Sequence, residues 1–151
     1  MITAIILARC SSSRLSKKHF HNIGQTKLID IIINNLKKNK LISKIYLATG
    51  TKKKNLLFKN IINKNKNCEI YFHKNEDNVT ERIYFLSKKI KTKHTILISG
   101  DCCLVDNDFI QRVYNQIKYT DYDFLKTKKK LIHEGITLFK TEIWKKVFKH
   151  S

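Results

Sequence analysis

Four short apolar runs separated by amphipathic stretches set the fold class of this chain. Residues 2–8, 44–49, 69–72 and 95–99 are long enough for buried strands and too short for core helices. Residues 27–39 carry Leu28, Ile31, Ile32, Asn35 and Leu36 at helical spacing. Residues 53–63 and 78–90 read as further helices, the latter opened by Asn78 with Glu81 three residues on, a capping-box pattern. Asp106 or Asn107 caps a helix running to about residue 118. Residues 122–126 and 136–140 read as late strands and 141–149 as a last short helix. Strands alternating with helices predict an α/β domain with a mostly parallel sheet. No internal repeat or linker interrupts the pattern, so residues 1–151 read as a single domain.

In such sheets ligands lie beyond the carboxyl ends of the strands. That rule selects the loop after Ala8, the segment after Thr49, and Gly100-Asp101. The first of these, Arg9-Cys10-Ser11-Ser12-Ser13-Arg14-Leu15-Ser16-Lys17-Lys18, is a small, polar, cationic loop hung on a buried strand. Arg9, Arg14 and Lys18 can converge on one anion. Ser12 and Ser13 offer hydroxyl and backbone N–H donors suited to phosphate oxygens. It is not a Walker loop, because the glycine pattern is missing. Asp101 directly follows an apolar strand, where a carboxylate points into the crevice.

Composition narrows the function classes. Hydrophobic residues at 42% and aromatics at 10% exclude a disordered chain. The absence of proline and the four glycines exclude collagen-like and linker classes. The net charge of +19 invites a polyanion reading, but only Arg9, Arg14, Arg82 and Arg112 are arginines. The rest of the positive charge is lysine, scattered in pairs and triplets beside many Asn and Ile residues, all with A/T-rich codons. Solvated faces are therefore expected, with no specific nucleic-acid partner. No apolar run approaches the roughly 20 residues of a membrane span, and residues 1–8 lack the leading basic residue of a secretory signal. The four cysteines show no paired C-x-x-C spacing. Reduced thiols in a cytoplasmic protein are the expectation.

The residues of the first loop also resemble a known family. Ala4-Ile5-Ile6-Leu7-Ala8-Arg9 with Ser12-Ser13-Arg14-Leu15 and Lys18 is similar to the opening signature of the sugar cytidylyltransferases. That group includes the acylneuraminate and 3-deoxy-manno-octulosonate enzymes and the spore-coat polysaccharide proteins, the last being the most similar. Gly24 with Leu28-Ile29, residues 41–45 and Ala48-Thr49 continue the likeness. Glu76-Asp77-Asn78-Val79 resembles the acidic segment of the spore-coat group. Thr80-Glu81-Arg82-Ile83 resembles a helix start of the octulosonate enzymes. Ser99-Gly100-Asp101 and the residues to Asp106 resemble the metal-binding strand end, and His133-Glu134-Gly135-Ile136 a late strand.

The resemblance implies a Rossmann-like three-layer nucleotide-diphosphosugar transferase fold. It implies CMP transfer from CTP to a sugar or sugar acid for surface polysaccharide, with Mg²⁺ and release of pyrophosphate. Arg9, Arg14, Lys18 and Asp101 would carry catalysis, with Asp101 holding the metal. Ala8, Ser12, Ser13, Thr49, Thr80, Glu81, Arg82 and Gly100 would contact substrate. Family members commonly pair, which makes a homodimer the expected assembly. The usual proline positions are Ser16, Lys27, Cys103 and Asn107 here, and Leu97 replaces an arginine common in the spore-coat group. The family pattern continues beyond Ser151, so a fragment or a minimal relative with a short C-terminal part is expected. A catalytically inactive nucleotide-binding relative and a basic nucleic-acid-binding module are the alternatives.

Overall fold

The computed structural model describes residues 1–11, 15–126 and 136–149. Its central sheet contains β1 (Ile2–Leu7), β4 (Ile42–Thr49), β5 (Cys68–Phe72), β6 (His94–Ser99), β7 (Phe124–Lys126) and β8 (Thr137–Lys140). The strand order is β5-β4-β1-β6-β8-β7. The first four strands of that order are parallel, whereas β8 is antiparallel to both β6 and β7. The expected mostly parallel sheet is therefore present, with an antiparallel strand inserted beside β6. A short two-stranded ribbon, β2 (Asn22–Ile23) with β3 (Thr26–Lys27), was not anticipated from the sequence. It turns through Gly24, whose φ of +61° suits a residue without Cβ.

Side chains on successive strand positions face opposite ways, and two cores result. Ile2, Ala4 and Ile6 of β1 join Ile45, Leu47, Ile96 and Ile98 on one face. There they meet α1 (Leu28–Lys37), α3 (Phe58–Ile62) and α5 (Asn107–Tyr119). Ile5 and Ala48 meet α4 (Val79–Ser87) on the other face, with Leu7, Leu97 and Trp144 of α6 (Ile143–Lys149) packed alongside. Helices thus cover both sides of the sheet, giving the three expected layers.

The capping expectations meet different outcomes. Asp106 caps α5, its Oδ1 accepting from Asp108 N at 2.9 Å and Phe109 N at 3.1 Å. Asn78 caps α4 by accepting from Glu81 N at 2.9 Å. Glu81 does not complete a box: its carboxylate lies 3.6 Å from Lys74 Nζ and 3.9 Å from His73 Nε2. The single helix expected over 53–63 is two, α2 (Lys52–Asn55) and α3. The break at Leu56 and Leu57, both exposed, lets Asn55 turn fully inward to polar partners.

His94 sits at the end of the sheet away from the site described below, with its ring edge-on to Tyr114. Burial, then Lys93, the N-terminal ammonium and Lys140, push its pKa below the ordinary value. Its Nε2 has no hydrogen-bond partner among the described residues. A histidine whose folded pKa is depressed binds its proton more readily in the unfolded chain. Its contribution to stability is present above about pH 6.5 and is lost as pH falls below that value. The unfolding free energy is expected to fall between pH 7.5 and pH 5.5, with a slope of up to about 1.4 kcal/mol per pH unit from this group, and the melting temperature to fall with it. In His94→Phe that slope is expected to flatten; an equally steep acid limb would show that His94 is not the group responsible.

Candidate active site at the strand ends

The order of the parallel strands reverses between β1 and β6, because the chain leaves β1 toward β4 and later returns to its other side. At such a switch point the loops after the two strands diverge and leave a crevice. The strands end flush, with Leu7 level with both Ala48 and Ser99. The ladder runs one residue further on each side, Ala8 N donating to Ala48 O at 3.3 Å and Gly100 N to Leu7 O at 2.8 Å. Ala8, Thr49 and Gly100 are thereby brought to one rim, as the strand-end rule expected.

Gly100 is there because nothing larger fits. A Cβ would lie 2.7 Å from Leu7 O, 2.8 Å from Ala8 Cβ and 2.9 Å from His19 Cε1. His19, in a single 3-10 turn (Lys18–Phe20), is buried and donates from Nδ1–H to Gly100 O at 2.8 Å, since a carbonyl can only accept. Burial depresses its pKa and keeps it neutral. Its neighbour Lys18 reaches Asp101, with Nζ 2.5 Å from Oδ2. Ser99 Oγ donates to the other carboxylate oxygen. Burial alone would raise the Asp101 pKa; the Lys18 ammonium and the Ser99 hydroxyl outweigh it and hold the group at about 2. Asp101 is therefore an anion at any physiological pH.

The loop after β1 is pinned at its base. Cys10 N donates to Asn55 Oδ1 at 2.8 Å, and Lys17 N closes back on Cys10 O at 3.1 Å. Lys17 itself has φ 52°, the left-handed turn that leads into the 3-10 segment. Arg9 pairs with Asp77, both partners largely exposed. In this state Arg9 and Lys18 each face a carboxylate. Ser12, Ser13, Arg14, and the His133-Glu134-Gly135 match lie outside the described residues.

Arg82, on the first turn of α4, is fully buried, and its Nη2 donates to Glu76 O at 2.6 Å. Burial lowers its pKa, partly offset by Glu76. Arg82 Nε and Thr49 Oγ1 are buried polar atoms with no partner among the described residues. Such groups cost free energy until a ligand or water satisfies them. Thr80 is half-buried on the same turn, and Glu81 is engaged by Lys74 and His73.

Sequence reasoning missed several residues of this rim. Glu76 and Asp77 were visible only as an acidic segment, and Asn55, Thr51 and His19 carried no signal. A buried Asn at the end of a lysine run is legible only once its partners are known.

Asp101 is one hard oxygen ligand, and no cluster of three or more His, Cys, Asp or Glu residues suited to a metal occurs among the described residues. One carboxylate combined with phosphate oxygens and water is a donor set that fits Mg²⁺. Among the same residues no helix is long and apolar enough to cross a membrane.

A mostly parallel sheet with a cationic loop and an ionised carboxylate at its switch point defines an open α/β fold with its candidate ligand crevice at the strand ends. The chain belongs to the cytidylyltransferase family, whose sequence model matches residues 3–151. It is 26% identical over 150 residues to an uncharacterised protein of Methanocaldococcus jannaschii, covering 99% of this chain and 61% of that one. It is 27% identical over 139 residues to the 3-deoxy-manno-octulosonate cytidylyltransferase of Rickettsia prowazekii, covering 89% of this chain and 54% of that enzyme. The chain thus spans between half and two thirds of the length of these curated relatives. Its fold is shared with a cytidylyltransferase from Leptospira borgpetersenii, with TM-score 0.87, 18% identity, and coverage of 99% of this chain and 64% of that one. It is also shared with a CMP:2-keto-3-deoxy-manno-octonic acid synthetase complexed with CTP, with TM-score 0.76, 11% identity, and coverage of 98% and 77%.

Proposed function

We propose that this chain binds CTP at the β1–β6 switch point and takes part in transfer of CMP to a sugar or sugar acid. The observation that carries the reading is the Lys18–Asp101 pair beneath the cationic loop. A triphosphate needs positive charge around the pyrophosphate that leaves and a carboxylate to hold the cation that travels with it. Lys18 and Arg9 supply the first, with Arg14 assigned to the same role from the sequence. Asp101 would hold Mg²⁺, which when bound supplies neutralisation of phosphate charge.

In the proposed step a sugar hydroxyl oxygen forms a bond to the α-phosphorus. The bond from that phosphorus to the bridging oxygen of the β-phosphate breaks. Pyrophosphate leaves, and the hydroxyl proton passes to solvent. Lys18 and Arg9 exchange their carboxylate partners for phosphate oxygens as the nucleotide enters. Thr49 Oγ1 and Arg82 Nε, without partners among the described residues, support a base- or sugar-contacting role for those two residues. Ala8 and Gly100 line the rim, and the family likeness supports Thr80 and Glu81 as further substrate contacts. The proposed setting is the cytoplasm, the proposed product an activated sugar for surface polysaccharide, and the proposed assembly a homodimer.

The test is a calorimetric titration with CTP, UTP and ATP, with and without Mg²⁺, near physiological salt. CTP is expected to bind at least about tenfold more tightly than UTP or ATP, a difference of about 1.4 kcal/mol, and Mg²⁺ to strengthen it. Equal binding of all three that fades steeply with salt would reduce the loop to a basic patch.

A further inference from the structure

Glu76 is the most heavily hydrogen-bonded carboxylate at this rim, and the scheme above gives it no part. It is 9% exposed. Ser11 Oγ donates to its Oε1 at 2.7 Å, and Thr51 N donates to its Oε2 at 2.9 Å, with Thr51 Oγ1 at 3.4 Å. Asn55 Nδ2 spans both oxygens at 3.2 and 3.0 Å. These donors are neutral, and no ion pair reaches the carboxylate among the described residues. Burial would raise its pKa, but the hydrogen bonds outweigh burial and hold it below the ordinary value, so it stays charged.

An ionised carboxylate offers about four lone-pair directions, and these donors take them. Glu76 therefore has no vacancy for a ligand or a metal, and its charge acts on the groups that donate to it. Two of those lead to the loop after β1. Ser11 is held directly, and Cys10 is held through Asn55, whose Oδ1 accepts the Cys10 N–H. The next residue, Asp77, takes Arg9. Three consecutive loop residues are thus fastened to one two-residue segment. Gly50 is part of the same device: a Cβ there would lie 2.1 Å from Glu76 Oε2.

We propose that Glu76 is a positioning residue, whose saturated carboxylate holds residues 10 and 11 in the shape that receives the triphosphate. The proposal rests on the CTP reading above. It also means that the Ser11 hydroxyl and the Cys10 N–H serve the loop and do not contact phosphate.

The test compares wild type with Glu76→Gln by CTP calorimetry with and without Mg²⁺ and by hydrogen exchange of the Cys10 amide without nucleotide. Glutamine keeps the shape but turns an NH₂ donor toward Asn55 or Thr51. The variant is expected to exchange the Cys10 amide at least about tenfold faster and to bind CTP about tenfold more weakly. The factor by which Mg²⁺ strengthens binding should stay as in wild type, because Asp101 is untouched. Ser11→Ala, which buries no new donor, should weaken CTP binding in the same sense and add little on top of Glu76→Gln. It also serves alone if Glu76→Gln does not fold. A lowered melting temperature with unchanged CTP affinity and unchanged Cys10 exchange would overturn the proposal. Wild type that binds no CTP would instead defeat the nucleotide reading, and the exchange measurement would still decide whether Glu76 fixes the loop.

Discussion

Asp101→Asn is expected to lower pyrophosphate release about 10³-fold, with whichever sugar acid supports turnover, while the fold stays intact. The substitution keeps the side chain's shape and removes its charge. Lys18 then loses its partner at 2.5 Å, and the Mg²⁺ proposed for this site loses the carboxylate assigned to hold it. Loss of a single preorganised electrostatic group costs about 10²–10³ in rate, and loss of the metal's anchor adds to it. A 10³-fold loss is about 4 kcal/mol of transition-state stabilisation. The stability cost is much smaller. Both members of the pair are partly exposed, so their attraction is screened and is worth at most about 1 kcal/mol. The two effects therefore separate: turnover collapses and the melting curve barely moves. In the same variant Mg²⁺ should no longer strengthen CTP binding. An undiminished release rate would remove Asp101 from the chemistry and the CMP-transfer reading with it.

Gly100→Ala is expected to destabilise the protein by about 2 kcal/mol, within the usual range for overpacking. The new methyl would press on a backbone carbonyl, the Ala8 methyl and the buried His19 ring, all closer than 3.0 Å. None of the three can swing away as a long surface side chain would. Leu7 O accepts the ladder bond from Gly100 N, and His19 is held by Gly100 O. For a domain of this size the loss corresponds to a melting temperature lower by roughly 4–8 °C. The strain lands between β1 and β6, so the variant should also bind CTP more weakly at temperatures where it is fully folded. A melting temperature within a degree of wild type would mean that the two strand ends are free to part.

The elements legible in the sequence were those with a local cause. Apolar runs at 2–8, 44–49, 69–72 and 95–99 became β1, β4, β5 and β6 within a residue or two at their ends. Asp106 and Asn78 cap helices because a carboxyl or amide oxygen two or three residues from an N–H can reach it without help from the rest of the chain. The helix over 53–63 failed for the opposite reason. Asn55 is drawn inward by Glu76 and Cys10, which are distant in sequence, and helical spacing cannot register that pull.

The candidate site divides along the same line. The alternating pattern alone implied a parallel sheet, and the strand-end rule then singled out Ala8, Thr49, Gly100 and Asp101. Only the tertiary structure decided which groups meet there. Lys18 and Asp101 are 83 residues apart, and Ser11 and Glu76 are 65 apart. Arg82, expected from the family likeness as a substrate contact, is buried, and its Nε has no partner among the described residues. Periodicity and capping are short-range, so the chain writes them locally. Ion pairs, desolvation and the saturation of a carboxylate depend on strand register and on which face a helix covers, and those exist only after the layers have packed.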